Sequence, residues 1–239
     1  FSPVILVIAV ATVVTMLIYW AISAVFFRQD AAETMAGAAS SSYYNSVNIG
    51  LPIATYVLGD ATFVVPALVL QMAVLSPIVI AGLDRSSSGV AKSVLSGLTA
   101  PVVVAAFAGF AVSAASWTVP EPVLAPLEIL GGASIPLILM SFGASLTGEK
   151  VLTSHRGPTI TATALKLVGM PAVAWVVATL LGLDGQEMYA ALILCALPTA
   201  QNVYNYAATY RSGEVICRDT VFLTTFLALP AMLLIAGVF

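Results

Sequence analysis

Apolar residues run along this chain in blocks of helix-spanning length, separated by short polar turns. A membrane-crossing helix needs about 20 predominantly apolar residues. Eight stretches meet that length, at roughly 3–27, 33–58, 61–83, 90–116, 124–147, 158–182, 187–210 and 217–239. The connections are short, which predicts antiparallel neighbours; the longest charged ones are 84–92 and 148–157. The pattern predicts an all-α polytopic membrane protein.

Two of these spans depart from the plain apolar pattern. From Asn45 to Pro52 the chain reads NSVNIGLP, placing two amides, a glycine and a proline inside a span. Proline lacks the backbone N–H and its ring clashes with the preceding turn, so a smooth helix through Pro52 is not expected; Gly50 adds local freedom. From Ala196 to Asn205 the chain reads ALPTAQNVYN, with Pro198 followed by Gln201, Asn202 and Asn205. In lipid an interrupted helix is tolerated only where its freed backbone groups face protein or a water-filled cavity. Two interrupted segments in corresponding halves point to a transporter binding site. The flanking sequences correspond as well. GLPIATYVLG is followed by VLSPIVIAGL, and ALPTAQNVYNYAA by LALPAMLLIAGV, each pair ending on a proline-bearing helix (Pro77, Pro230). One broken span runs outward and the other inward, so the repeats are inverted. The chain then divides into a first transport half over 1–83, a helix pair over 84–157 and a second transport half over 158–239. Full symmetry would place two further spans ahead of Phe1.

Charge fixes an expected orientation. Arg28, Arg85, Lys92, Lys150, Arg156, Arg211 and Arg218 fall in alternate loops, whereas Asp60, Glu121, Glu128, Asp184 and Glu187 mark the opposite side. Lysine and arginine collect on the cytoplasmic side, so both ends of this chain are expected outside a plasma membrane. With 60% hydrophobic and 8% charged residues, against about 25% charged in a soluble domain, no separate soluble domain is expected. The chain begins with Phe1, so its natural start is expected upstream. There is no basic cluster for nucleic acid. Cys195 and Cys217 read as small buried hydrophobes, not a disulfide. No metal-ligand cluster or G-x-S-x-G elbow is present, and the lone His155 lies in a loop beside Arg156; neither an enzyme nor a cofactor is expected.

Asn45, Gly50 and Pro52 in one broken segment, Ala196-Leu197-Pro198 with its polar run in the other, then Asp219-Thr220-Val221 and Leu229-Pro230, resemble the auxin efflux carrier family. The resemblance extends over nearly the whole chain. It implies ten helices in two inverted five-helix repeats, of which eight are present here. It also implies a scaffold domain, a transport domain in which the two broken helices cross, and bacterial relatives that carry malate- or malonate-like acids. A second copy of the chain is a partner that such a scaffold would offer.

At such a crossing, Pro52 and Pro198 each suit the first turn of a new half-helix, where the missing N–H costs nothing. A half-helix N-terminus presents unpaired N–H groups and about half a unit of positive charge, which favours a carboxylate or other small organic anion. Asn45, Asn48, Gln201, Asn202 and Asn205 add neutral donors, or else hold helices together. Lys166 lies about 15 Å in from a helix end at helical rise. It is either a functional intramembrane cation or a side chain snorkelling to the interface. Tyr43, Tyr44, Tyr204 and Tyr206 are expected to pack, and Arg218 with Asp219 to form a surface pair. No span carries a mid-membrane carboxylate, which argues against a cation/proton antiporter. The expected function is a secondary transporter of small organic anions, an exporter; a sodium-coupled organic-anion symporter of bile-acid-carrier type is the alternative.

Overall fold

The computed structural model describes residues 3–60, 63–84, 92, 95, 98–147 and 150–238. Phe1, Phe239 and Arg85, on which part of the expected topology rests, lie outside them, as does most of the start of the fourth expected span. The regular structure of the described residues is helical; short turns and extended segments join the helices, and two of those segments meet in one isolated bridge. In chain order the helices are α1 (Pro3–Phe27), α2 (Ala31–Ser42), α3 (46–56), α4 (Val65–Leu83), α5 (Pro101–Ala114), α6 (Glu121–Ser145), α7 (Arg156–Leu180), α8 (Gly185–Cys195), α9 (Gln201–Tyr210) and α10 (Glu214–Val238). Among the described residues, α1, α4, α7 and α10 are long and apolar enough to cross a bilayer. Large apolar side chains such as Leu17, Phe26, Leu180 and Leu234 stand exposed on them, as lipid-facing residues do.

Prolines shape three helices in the same way. Pro52, Pro77 and Pro171 each stand second in an α-helical segment that directly follows a five-residue π turn, at Ser46–Gly50, Gln71–Leu75 and Leu165–Gly169. In each case the N–H of the residue before the proline reaches back five residues: Leu51 to Ser46, Ser76 to Gln71 and Met170 to Leu165. The wider turn moves aside the carbonyl against which the ring would clash. Pro126, Pro136 and Pro230 lie within α6 and α10 without a π turn, so proline alone does not dictate it.

Without a strong hydrophobic drive between helices in lipid, association rests on close packing, and small residues permit it. α2 (AAETMAGAASSS) is built for the centre in this sense, with nine of its 12 residues buried. Gly37 lies so close to Tyr19 of α1 that a Cβ there would overlap the ring.

The buried apolar residues form two clusters. One holds Val4–Ala11 of α1, Ala67 of α4 and Met170–Ala178 of α7. The other holds Met16 and Tyr19 of α1, Leu75–Leu83 of α4 and Ala162 of α7. On all three helices the change of cluster falls at buried polar residues: Thr12 and Thr15, Gln71, and Lys166. A polar layer therefore divides the core at mid-height, and both broken helices pass through it.

At one end of the bundle the Gln186 side-chain amide donates to Leu58 O at 3.0 Å, joining the turns near Asp60 and Asp184. At the other, Glu33, His155, Arg211 and Glu214 line a shared hollow. The expected surface pair is a correction. Arg218 and Asp219 are buried, because α10 starts at Glu214 and carries them into its second turn. Asp219 accepts from Arg218 Nε at 2.9 Å and from the Leu152 backbone N–H at 2.8 Å, tying the loop before α7 to α10. Arg156 Nε donates to the carbonyl of the same Leu152, whose φ of 61° is in the left-handed region. Cys195 and Cys217 are free and buried, as expected.

Candidate functional site

The interruption of the first broken helix lies at Tyr43–Asn45, not at Pro52. α2 is mostly small residues, and its last three are Ser40, Ser41 and Ser42. Each returns its hydroxyl to a carbonyl of the previous turn (Ala36 O, Ala38 O and Ala38 O). Such back-bonding competes with the helix ladder and loosens it. Tyr43 then turns extended, with ψ of 105°. Asn45 restarts the helix as its N-cap, its side-chain oxygen accepting from Asn48 N–H at 3.2 Å. Pro52 comes a further turn and more along α3 and is exposed. The second interruption falls where expected, at 197–200, but Pro198 lies in the extended stretch itself and Ala200 is the N-cap of α9.

The two interruptions meet. Tyr44 and Thr199 pair as an antiparallel bridge, with Asn45 N–H donating to Pro198 O and Ala200 N–H to Tyr43 O, both at 2.9 Å. Each break satisfies backbone groups freed in the other, as a low-dielectric interior requires. Side chains supply the remainder. Thr199 Oγ1 donates to Ser40 O at 2.6 Å, Thr199 N–H to Thr224 Oγ1 at 3.1 Å, and Gln71 Nε2 to Tyr44 O at 2.6 Å. The Ser46 hydroxyl donates to Gln71 Oε1. Gly50 is where the two broken helices touch. A Cβ there would lie 2.9 Å from Leu197 Cδ1 and 3.2 Å from Asn45 O.

A cavity of about 220 Å³ opens beside this bridge, lined by Asn45, Ser46, Asn48, Gln71, Gln201 and Asn202 with Tyr43, Tyr44 and Met72. Asn48 Nδ2 donates to Gln201 Oε1 at 3.2 Å, linking the two half-helices across it. The N-termini of α3 and α9 both start at this cavity, because their N-caps, Asn45 and Ala200, line it.

Of the nine residues singled out from the sequence, Asn45, Asn48, Gln201 and Asn202 come together at the cavity. Five do not line it. Gly50 and Pro198 belong to the crossing backbone, Pro52 faces outward, and Asn205 lies a turn further along α9. Lys166 is the fifth. It neither snorkels nor reaches the cavity; it is fully buried and donates to Cys195 O at 2.6 Å and to Met170 Sδ at 3.3 Å. Cys195 is the last residue of α8, so the ammonium sits at that half-helix's carbonyl end. Tyr43 and Tyr44 pack as expected. Tyr43 is edge-on to Tyr206 at 6.4 Å and bonds to Ser76 Oγ at 2.7 Å, and Tyr44 OH donates to Ala67 O at 3.1 Å. Gln71 and Ser46 were missed. A lone glutamine within the apolar run VPALVLQMAVLSP was the available signal for Gln71.

A family model described as a membrane transport protein matches residues 86–236, which include the second interruption and most of the helices around it. The chain belongs to this family, the auxin efflux carriers. Two curated relatives are similar at low identity. An "Uncharacterized transporter" of Methanocaldococcus jannaschii is 28% identical over 107 residues, 45% of this chain and 34% of its own length. A protein of Rhizobium meliloti named "Putative malonate transporter" is 25% identical over 233 residues, 92% of this chain and 72% of its own length. The chain thus spans about a third of the first relative and under three quarters of the second. It is a multi-pass membrane transport protein, and not an enzyme.

Proposed function

We propose that this carrier moves small organic anions across the plasma membrane, outward, and binds them in the cavity beside the crossed breaks. One observation carries the reading: two half-helix N-termini and the side chains of Asn45, Asn48, Gln201 and Asn202 converge on one half-buried cavity. N-terminal N–H groups and the partial positive charge behind them favour a carboxylate without any lysine or arginine in contact. The Rhizobium relative's name makes a short dicarboxylate such as malonate a first ligand to try, beside monocarboxylates and indole acids.

The surrounding arrangement is read as eight helices of ten. Inverted halves over 1–83 and 158–239 form the transport domain, and the pair over 84–157 belongs to a scaffold that also pairs with a second copy. Elevator or rocking motion of the transport domain would expose the cavity to each side in turn. The Arg28, Arg156 and Arg211 end is assigned to the cytoplasm. Cysteine labelling from outside at Asp60 and Asp184, and from inside at Ser154, tests that assignment; the reverse pattern overturns it.

The binding reading is tested at Asn45, whose oxygen caps α3 while its NH2 group is left for a ligand. Aspartate caps a helix as well as asparagine, but Asn45 is buried and a carboxylate there is costly to desolvate, so Asn45→Asp is read by the affinity of the protein that remains folded. It places like charge on an anion site, and the lost bond to a charged group, about 1.5–3 kcal/mol, corresponds to roughly ten- to hundredfold weaker binding. Asn45→Ala should lose both affinity and about 1 kcal/mol of stability, and Asn202→Ala chiefly affinity. Titration calorimetry on the purified variants, with the tightest-binding acid from the panel, reads all three. Unchanged affinity throughout would sink the site.

A further inference from the structure

A second hollow, of about 460 Å³, lies between α4 and α5. Leu68, Val69 and Met72 of α4 face Phe107, Phe110 and Ser113 of α5 across it, and among the described residues lining it only Ser113 is polar. Val69, Phe107 and Phe110 are exposed, so this groove opens on an apolar face. Met72 lines both hollows. It borders the amides of Asn45, Asn48 and Gln201 in the polar cavity and the two phenylalanine rings in the groove. The residue before it fixes the backbone there. Gln71 opens the π turn Gln71–Leu75 and is held at both ends of its amide, Nε2 donating to Tyr44 O at 2.6 Å and Oε1 accepting from the Ser46 hydroxyl. The methionine side chain therefore stands between the two hollows.

Small-ligand sites run to about 300–1,000 Å³ and are mostly apolar with a few placed polar groups. The polar cavity, at about 220 Å³, falls short of that size, whereas the two hollows joined would meet it. Both parts of such a site are present, and Met72 keeps them apart. We infer that Met72 is the specificity-determining residue of the anion site: it walls the polar cavity off from the groove and so confines the carrier to short acids without an apolar body. A short acid sets its carboxylate at the half-helix ends and needs only the room that the polar cavity offers. An acid with a ring or a long alkyl tail must put that body where Met72 stands. Shortening Met72 joins the hollows, and a ring could then lie against Phe107 and Phe110, where aromatic pairs are favourable. The inference rests on the anion reading of the cavity proposed above.

The test uses matched acids that differ by one ring, acetate with phenylacetate and malonate with benzylmalonate, titrated calorimetrically into the purified full chain in lipid nanodiscs. The quantity read is the ratio of affinities within each pair, which a purely structural role of Met72 would not move. The wild-type protein is expected to bind the parent acid at least tenfold more tightly than its ringed partner. A methylene's worth of room in an apolar pocket changes selectivity by about 10–200-fold, so Met72→Ala should shift the ratio toward the ringed acid by about tenfold or more. Met72→Leu, which keeps the volume, should retain the wild-type ratio. Methionine is flexible, and a side chain that swings aside unaided would admit the ringed acids to the wild type; equal affinities there overturn the inference. An unchanged ratio in Met72→Ala, with the parent acid still bound, overturns the wall and leaves the anion site standing. Failure of all four acids to bind the wild type overturns the anion site, and the wall with it. Should Met72→Ala fail to fold, Met72→Val, which also shortens the side chain, takes its place.

Discussion

The two breaks solve one backbone problem with different means. Both interrupt a helix in the polar layer, and both leave carbonyls that lipid cannot satisfy. The first, at Tyr43–Asn45, is closed entirely by neutral groups: the hydroxyl of Thr199, the amide of Gln71 and the N–H of Ala200. The second, at 197–200, adds a charge, since Lys166 holds the end of α8. Neutral closure is distributed over several bonds, each of modest net worth, whereas charged closure is concentrated in one side chain. The first break should therefore tolerate single substitutions better than the second.

Lys166→Ala should show the largest effect. It removes a buried side chain, leaves a cavity and strands Cys195 O, so a loss of about 3 kcal/mol or more is expected in the thermal stability of the purified protein. Gln71→Leu addresses the neutral break. Tyr44 O keeps its bond from Ser46 N–H, so about 1–3 kcal/mol should be lost, and less than at Lys166. An equal or greater loss at Gln71 would remove the asymmetry. Gly50→Ala tests the contact between the breaks. Its Cβ would press on Leu197 and the Asn45 carbonyl, at a cost of about 1–3 kcal/mol. Leu197→Ala in the same chain should recover part of that cost, since the pair is in contact. Pro52→Ala should be smallest, within about 0.5 kcal/mol, because Pro52 is exposed and the break is not there.

That last expectation marks where the sequence was harder to read. The all-helical membrane class and the existence of two polar interruptions followed from hydropathy and from amides set in apolar runs. The position of the first break did not. Proline is the breaker that the sequence suggests, but a π turn absorbs Pro52 just as it absorbs Pro77 and Pro171. The loosening comes instead from three consecutive serines and the capping Asn45. The convergence of Asn45, Asn48, Gln201 and Asn202 was legible because each flanks a break. Asn205 shares their chemistry but lies one turn too far along α9. The partner of Lys166 was beyond the sequence in principle, since it is a backbone carbonyl of another helix. The burial of Arg218 and Asp219 turned on α10 starting at Glu214, a shift of three residues.

The bridge between Tyr44 and Thr199 also has a consequence for biosynthesis. The chain grows at about 5–20 residues per second, so the first break emerges on the order of ten seconds before the segment that completes it. In that interval Tyr43 O and Asn45 N–H lack their final partners, inside or beside a membrane that supplies none. The nascent first half must wait in a shallower or hydrated position, or against an insertion factor that lends it hydrogen bonds. Its polar layer closes only when α8 and α9 arrive.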